Sequence, residues 1–400
     1  MATPVLKATP RGSSRIPSRI FSIQSEPPLS AFKKLCSQTV TREDYPLSSE
    51  VSLNVPIYNL SRVDTNDEEL HAHLQAEWHH ILLSGPGVFP LKNMYPDKQL
   101  IEEVNVVYRG IIDSEKQESR KGDHFASSSA NDRIWNSFSK HCLSDPLSFV
   151  EYYSNPWLAL VCEAWLGPAY HITSQVNVVK PGGAAQVSHR DYHLGFQTAE
   201  ACEKFPIATQ IASQFLTLQG AVAHSDMPVE SGPTRLLPFS QRFDEGYMAY
   251  RLPQFTEYFL ENYISLPLSI GDGLFFNPAL FHAAGENVTK DIQRTANLLQ
   301  VSSAFAKPME SIDSHPLIEK TWEILEGRFV REGESAGVRV YLAAVAEGYP
   351  FPTNLDRRPP APSGMAPESE QELLMRGLRE GWDLSLVLEA LQEMKQNSKA

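Results

Sequence analysis

The sequence has few cysteines, no long apolar run and fewer basic than acidic side chains. Its 400 residues include only 4 cysteines, which lie too far apart for a zinc-type CxxC site or a disulfide framework. No stretch approaches the roughly 20 apolar residues of a membrane span. The formal net charge of −13 argues against general binding to a phosphate backbone. These absences predict a soluble intracellular protein without nucleic acid or membrane as a partner, in an oligomeric state left open.

The N-terminal residues have a composition that suits a mitochondrial presequence. Residues 1–25 contain arginines, a lysine and serines but no acidic residue. Three prolines, at positions 4, 10 and 17, oppose the amphipathic helix that such a signal needs, and the C-terminal Ser-Lys-Ala only faintly resembles a peroxisomal address. We therefore predict a flexible segment over residues 1–50 and a cytoplasmic location.

The remaining chain divides into helical and β-rich parts. Apolar spacing predicts helical support over residues 64–166 and further helices over 316–346. Between them, about residues 170–306, short β-rich runs alternate with glycine and proline turns, which favours an antiparallel sandwich or barrel over βαβ units. Residues 51–349 are thus predicted to form a single α+β domain, and 350–400 a proline-rich linker and a peripheral helix.

A His-x-Asp pair follows the Pro-Gly-Gly turn at residues 181–183. His189 and Asp191 lie two residues apart on a predicted strand, so they point to one face while Arg190 points away. The pair can therefore reach one metal ion. A His-x-Asp pair is by itself weak evidence, because the two residues often occur together by chance.

A third ligand is expected at His282, which follows an apolar run and a polar turn at 271–278. Two imidazoles and one carboxylate on one face of iron(II) leave coordination positions for a keto acid and O₂. Twelve residues later, Arg294 begins another predicted strand, where its guanidinium is suited to pair with the distal carboxylate of 2-oxoglutarate. The sequence thus indicates an iron site built from His189, Asp191 and His282, with Arg294 as the cosubstrate anchor.

Other histidines offer competing ligand sets. A second pair, His224-Ser225-Asp226, leads into a turn-rich loop, whereas the first pair follows a strand and a glycine turn, so we favour the first pair. Four histidines crowd one predicted helix without a carboxylate cluster and are interpreted as helix residues, not ligands: His71, His73, His79 and His80.

Three segments together resemble the phytanoyl-CoA dioxygenase family. They are 189–193 (HRDYH), 230–242 (ESGPTRLLPFSQR) and the stretch from Gly271-Asp272 through 282–287 (HAAGEN) to Arg294. The resemblance extends over about residues 172–305. It implies a double-stranded β-helix (jelly roll) with flanking helices, iron(II) and 2-oxoglutarate as cofactor and cosubstrate, and O₂ as second cosubstrate. The family roles fall on the four residues already chosen.

The chain also departs from the family pattern. The usual Pro-Gly-Ser-His ending of the middle motif is Pro-Phe-Ser-Gln at 238–241, so a role that rests on that histidine does not transfer. Residues 198–208 form a long insert where substrate surroundings vary in the family. Family halogenases have a small residue at the carboxylate position, and Asp191 makes that activity improbable here.

Residues around the predicted site are candidates for substrate contact. Gln175 and Asn177, on the preceding strand, are assigned to cosubstrate or substrate binding. The remaining candidates for substrate contact are polar or aromatic: Tyr192, His193, Arg235 and Arg133. A salt bridge, a packed position or a surface position explains each of them equally well.

The predicted reaction is oxidation of a substrate C–H bond with release of succinate and CO₂. Hydroxylation is the default, and desaturation or ring closure, including aziridine formation from an amino-acid-type substrate, uses the same iron chemistry. A cupin-type dioxygenase or isomerase without 2-oxoglutarate would leave Arg294 structural. A non-enzymatic jelly roll would be expected to close the metal coordination with protein ligands.

Overall fold

The computed structural model describes residues 16–64, 67–117 and 131–400. Residues 1–15, the main part of the presequence-like pattern, lie outside this range. Among the described ranges, no helix combines the length and apolar character needed to cross a membrane.

Helices precede and follow the β-rich centre, as the sequence predicts. Within the predicted helical part, residues 146–166 form two helices. The Asn155 side chain accepts hydrogen bonds from the backbone N–H groups of Trp157 and Leu158, and Pro156 lacks the N–H that would continue the first helix. The helices are α1 (Leu29–Cys36), α2 (Glu68–Leu83), α3 (Lys98–Gln117), α4 (Ser137–Ser144), α5 (Pro146–Tyr153), α6 (Pro156–Leu166), α7 (Ala199–Cys202), α8 (Ile207–Ser213), α9 (Gly246–Ala249), α10 (Pro253–Asn262), α11 (Ser314–Glu332), α12 (Ala336–Val345), α13 (Glu370–Glu380) and α14 (Leu384–Asn397).

The strands form a large and a small sheet. They are β1 (Glu50–Ser52), β2 (Val55–Asn59), β3 (Val88–Lys92), β4 (Asn131–Ile134), β5 (His171–Val179), β6 (Thr217–Ala223), β7 (Arg235–Leu237), β8 (Ile264–Ser265), β9 (Gly273–Phe276), β10 (Phe281–Ala283) and β11 (Arg294–Ser302). The large sheet has the order β1-β2-β3-β9-β6-β11-β5-β4, and the small sheet has the order β10-β7-β8. The predicted helical part therefore also contributes two strands of the large sheet, β3 and the edge strand β4.

The two sheets confirm the predicted α+β jelly-roll class. Strands β5, β11, β6 and β9 pair antiparallel in the large sheet, and the small sheet supplies the opposite wall. The strand expected at residues 186–189 is reduced to an isolated bridge between His189 and His282. The large sheet is open, since its edge strands β1 and β4 do not pair with each other.

Side-chain alternation divides the large sheet into a helix-covered face and a cavity face. On the covered face, Trp78 of α2 stacks on Phe89 of β3 with ring centroids 5.5 Å apart. Trp165 of α6 donates from Nε1 to the Thr217 carbonyl at 3.0 Å. On β6, Leu218 and Val222 belong to this core. Gln219 and Ala221, which alternate with them, line the cavity between the two sheets.

The N-terminal segment contains a helix that packs against the small sheet and its neighbours. Phe32 of α1 is fully buried, and its ring centroid lies 4.9 Å from that of Phe281, 5.2 Å from Phe243 and 5.0 Å from Phe255. The prediction of a flexible segment over 1–50 is therefore wrong for residues 29–36. Phe32 explains why the helix is ordered, because burying its ring stabilises a segment whose composition alone does not indicate a helix.

The C-terminal residues form two helices, where the sequence predicted one peripheral helix. Gly381 takes a left-handed conformation with φ 66° and separates α13 from α14. Leu374 and Val387 of these helices are fully buried in the main helical core. Trp322 of α11 donates from Nε1 to the Trp382 carbonyl at 3.0 Å. The extension thus covers α11 as an additional layer.

Candidate active site

The backbone brings His189 and His282 side by side between the two sheets. The His189 N–H donates to the His282 carbonyl at 2.9 Å, and the His282 N–H donates back at 3.1 Å. The Asp191 N–H donates to the Pro278 carbonyl at 2.9 Å. Residues from two distant segments are therefore fixed next to one another by main-chain hydrogen bonds.

The three predicted metal ligands form one cluster. Nε2 of His189 lies 3.9 Å from Oδ1 of Asp191, and Nε2 of His282 lies 3.7 Å from Oδ2. One ligand atom from each residue lies within 4.8 Å of the others. Within the described ranges, this is the one group of three such side chains found close enough to hold a metal ion.

Contacts of the Nδ1 atoms with backbone carbonyls set the tautomers of both histidines. Nδ1 of His189 lies 2.9 Å from the Val187 carbonyl, and Nδ1 of His282 lies 2.8 Å from the Leu280 carbonyl. A carbonyl only accepts, so each Nδ1 carries the proton, and the lone pair of each Nε2 is left for a metal ion held between the three side chains. This arrangement is typical of imidazoles that bind a metal through Nε2.

Asp191 and His189 have the charge states that metal binding requires. Burial raises the pKa of Asp191, but the contacts with His282, His189 and Gln219 outweigh it and hold the pKa below its ordinary value. Burial, followed by the nearby His282, lowers the pKa of His189. At neutral pH the cluster therefore offers a carboxylate and a neutral imidazole.

Arg190 points away from the cluster and bonds backbone carbonyls in the segment that follows β7 of the small sheet. Its guanidinium donates to the Ser240 carbonyl at 2.7 Å and the Phe243 carbonyl at 2.8 Å. Gly246 makes room for it, because a Cβ there would lie 1.8 Å from the Arg190 Cζ. The Arg190 side chain thus holds in place the backbone that carries His189 and Asp191.

Arg294 opens β11 and lines the same cavity as the cluster. Its side chain is 6% exposed, and burial lowers its pKa to about 10, so the guanidinium stays charged at neutral pH. None of the ion pairs found in the described part of the chain involves Arg294. A buried, charged guanidinium is costly unless an anion binds it, so the position fits an anionic ligand.

The cavity between the sheets has a volume of about 810 Å³, within the range of small-molecule sites. Four of the predicted contact residues line it beside the cluster and Arg294: Arg133, Gln175, Asn177 and Tyr192. Arg133 donates from Nη1 to Gln175 Oε1 at 3.1 Å. The apolar part of the wall comes from residues such as Met227, Phe276 and Leu298.

Two predicted substrate contacts lie elsewhere. His193 is absent from the cavity wall, and its Nε2 lies 3.2 Å from the Thr217 hydroxyl, because the chain turns into a 3₁₀ helix at His193 instead of continuing as a strand. Arg235 lies over the Tyr263 ring, 4.7 Å from its centroid, on β7 outside the cavity wall. The structure therefore does not bring these two side chains to the cavity wall, and their contact with substrate stays a prediction.

The histidine of the second His-x-Asp pair belongs to a buried hydrogen-bond network. Nε2 of His224 lies 2.9 Å from the Tyr152 hydroxyl, and Nδ1 lies 2.8 Å from Asn105 Oδ1. Burial lowers the pKa of His224 to about 3. Asp226 accepts from the Ile270 N–H at 2.9 Å and takes no part in that network.

Replacing His224 by alanine tests that assignment. We expect a loss of about 1–3 kcal/mol in the free energy of unfolding, because Tyr152 and Asn105 lose a buried partner, with an unchanged affinity for iron(II). Chemical denaturation and an anaerobic metal titration measure the two quantities. Loss of metal binding in a folded variant would contradict the assignment.

Sequence reasoning missed Gln219, whose Nε2 donates to Asp191 Oδ2 at 2.6 Å. Gln219 lies in the middle of the fully buried strand β6. A glutamine among mainly apolar residues was the sequence signal that could have marked it as a functional residue. Gln241 stands where the family motif usually has a histidine. Its side chain donates a hydrogen bond to the Gly85 carbonyl at 2.9 Å and so holds the turn at Gly85 in place.

The donor set fits iron(II). Two neutral imidazoles and one carboxylate on one side of a cavity are the ligands of non-haem iron oxygenases, whereas a structural zinc site closes its coordination with protein ligands. The neighbouring cavity leaves room on the remaining side of the cluster.

Comparisons with known proteins point the same way. A family model described as phytanoyl-CoA dioxygenase matches residues 102–296. Dioxygenase andF of Emericella variicolor is 24% identical over 42% of this chain and 58% of its own length. Dioxygenase trt7 of Aspergillus terreus is 27% identical over 41% of this chain and 47% of its own length. The chain spans about half the length of these curated relatives.

Similar solved structures include two enzymes of nogalamycin biosynthesis. The non-haem α-ketoglutarate-dependent epimerase SnoN is 16% identical, with a TM-score of 0.39 over 60% of this chain and 84% of its own. The non-haem α-ketoglutarate-dependent carbocyclase SnoK is also 16% identical, with a TM-score of 0.40 over 57% of this chain and 83% of its own.

Proposed function

We propose that this chain is an iron(II)- and 2-oxoglutarate-dependent oxygenase like those of the phytanoyl-CoA dioxygenase family, whose model matches residues 102–296, and that it oxidises a C–H bond of a small molecule and releases succinate and CO₂. His189, Asp191 and His282 hold the iron, and Arg294 binds the distal carboxylate of 2-oxoglutarate. One observation carries the proposal: the ligand cluster and a buried guanidinium with no ion-pair partner among the described residues share one cavity.

The chain contributes binding and orientation. The chemistry that iron supplies when bound is the activation of O₂, coupled to the oxidative decarboxylation of 2-oxoglutarate. The two histidines and Asp191 occupy one side of the metal position and leave the cavity side free for cosubstrates. Arg294 fixes the far end of the keto acid, because its planar guanidinium matches a carboxylate bidentately.

The strand register around Arg294 supports placing the cosubstrate at this end of the cavity. Arg294 pairs with Val179 and Ala296 pairs with Asn177 across β11 and β5, so Asn177 lies near the proposed carboxylate position. Gln175 lies further along β5, where its Oε1 accepts from Arg133 and its Nε2 contacts Met309 Sδ at 2.8 Å. We therefore assign Asn177 to the cosubstrate, and Gln175, Arg133 and Tyr192 to the substrate.

The composition of the cavity wall favours a neutral or anionic substrate with a large apolar part. Among the described residues that line the cavity, the one carboxylate is that of Asp191, which is already assigned to the metal. An ammonium group would have no counter-ion there, so aziridine formation from an amino acid has no support from these side chains. Hydroxylation remains the default outcome, and desaturation or ring closure the alternatives. The cytoplasmic location and the lack of nucleic-acid and membrane partners stay predictions.

The test is succinate formation by anaerobically purified protein after addition of iron(II), 2-oxoglutarate, ascorbate and O₂. We expect metal-dependent succinate above a control treated with chelator, and a higher rate with pools of neutral, mainly apolar metabolites than with amino-acid pools. If iron binds but succinate never exceeds the control with any pool, the use of 2-oxoglutarate is refuted and the cupin-type reading replaces it.

A further inference from the structure

The carboxylate of Asp191 is held by a side chain from the middle of the large sheet. Gln219 lies on β6, which pairs with β9 on one side and β11 on the other. Its side chain is 5% exposed, and its Nε2 lies 2.6 Å from Asp191 Oδ2. Because β6 is an interior strand, backbone pairing on both edges fixes the main chain from which this side chain extends.

The orientation of the Gln219 amide follows from the charge of its partner. An ionised carboxylate only accepts hydrogen bonds, so the amide nitrogen must face Asp191. The other amide atom, Oε1, is buried and has no hydrogen-bond partner among the described residues. Leaving a buried oxygen without a donor costs free energy, and the contact with Asp191 is the interaction that holds the side chain in this orientation.

Each member of the cluster is therefore oriented by its own neighbour. Backbone carbonyls hold the two histidine rings through Nδ1. The carboxylate of Asp191 needs a comparable restraint, because rotation about its terminal torsion is broad. Gln219 supplies it by bonding Oδ2, the oxygen that also lies closer to His282.

We propose that Gln219 is a positioning residue for the metal-binding carboxylate. The inference rests on the proposed iron site and goes beyond it: the amide of Gln219 sets the plane of the Asp191 carboxylate before the metal binds. Its loss leaves all three ligands present but lets the carboxylate rotate, so the affinity for the metal falls. Groups that orient metal ligands in this way usually contribute about 10- to 100-fold to metal affinity.

Gln300 provides a matched control. It lies directly opposite Gln219 in the β6–β11 register, lines the same cavity and is 8% exposed. Its Oε1 is also buried without a hydrogen-bond partner in the described chain, and its side chain does not contact Asp191. A Gln300→Leu change therefore makes the same chemical alteration one strand away from the carboxylate.

The experiment compares Gln219→Leu and Gln219→Met with Gln300→Leu and the parent. The dissociation constant for iron(II) is measured anaerobically from the charge-transfer absorption that iron(II) and 2-oxoglutarate develop together. A parallel titration with cobalt(II), without 2-oxoglutarate, records ligand-field absorption, which reports the coordination of the metal. Thermal unfolding of each metal-free protein shows whether the variants fold, and Gln219→Met keeps the side-chain length if leucine is not tolerated.

We expect both Gln219 variants to bind iron(II) and cobalt(II) about 10- to 100-fold more weakly, with a changed cobalt(II) spectrum, while Gln300→Leu matches the parent. Parent-like metal affinity in a folded Gln219 variant overturns the proposal, and so does an equal loss in Gln300→Leu. If the parent binds cobalt(II) but develops no absorption with iron(II) and 2-oxoglutarate, the proposed function fails, and the cobalt(II) comparison still decides the role of Gln219.

Discussion

The His189→Ala protein is expected to lose iron(II) binding and, with it, the formation of succinate from 2-oxoglutarate. The change removes one of the three proposed ligand atoms, whereas groups that only orient ligands already contribute about 10- to 100-fold to affinity or activity. We therefore expect a loss of more than about 100-fold in both the affinity for iron(II) and the rate of succinate formation.

Folding should tolerate this change, because the main-chain hydrogen bonds between His189 and His282 do not involve the imidazole. The His189 side chain is 29% exposed, so truncation leaves no closed cavity. Metal titration, succinate assay and thermal unfolding of the metal-free protein measure the three effects.

His193→Ala is the matched control for this prediction. It removes another imidazole four residues away, one that bonds Thr217 and does not line the cavity. Iron(II) affinity should then equal that of the parent. If His193→Ala loses the metal and His189→Ala retains it, the ligand assignment made here is wrong.

The four residues His189, Asp191, His282 and Arg294 could be predicted because their signals are short-range. Alternation places His189 and Asp191 on one side of the chain, and the 12-residue spacing between His282 and Arg294 lets the chain pass from β10 of the small sheet to β11 of the large sheet. The structure brings all four to one cavity. Local spacing along the chain was therefore enough to select these four residues.

Gln219, His193 and Phe32 show what such patterns cannot reveal. Gln219 contacts Asp191 from a strand 28 residues away, and Phe32 packs on rings more than 200 positions along the chain. These contacts depend on how the two sheets face each other. His193 was misplaced because the strand period was extended past the point where the chain turns into a 3₁₀ helix.

Arg294→Ala is expected to raise the dissociation constant for 2-oxoglutarate about 30- to 1,000-fold while leaving iron(II) affinity unchanged. Truncating one partner of a buried ion pair typically costs about 2–4 kcal/mol, and each 1.4 kcal/mol corresponds to about a factor of ten. Arg294→Lys should recover little of the loss, because an ammonium cannot pair bidentately with a carboxylate. Titrating 2-oxoglutarate into the iron(II)-loaded, anaerobic protein gives these constants.

Arg235→Ala serves as the control, since that arginine lies over Tyr263 on the small sheet and outside the cavity wall. Parent-like 2-oxoglutarate binding by Arg294→Ala would instead favour a cupin-type enzyme in which the arginine is structural.

The stability of Arg294→Met adds an independent criterion. A guanidinium that is buried to shape the fold has partners, and its removal destabilises the protein; one that is buried to bind a ligand costs stability until the ligand arrives. Arg294 has no ion-pair partner among the described residues and is 6% exposed. Methionine should therefore leave the melting temperature of the metal-free protein unchanged or higher. A pronounced fall would mean that Arg294 supports the fold, whereas unchanged stability with lost 2-oxoglutarate binding assigns its charge to the cosubstrate.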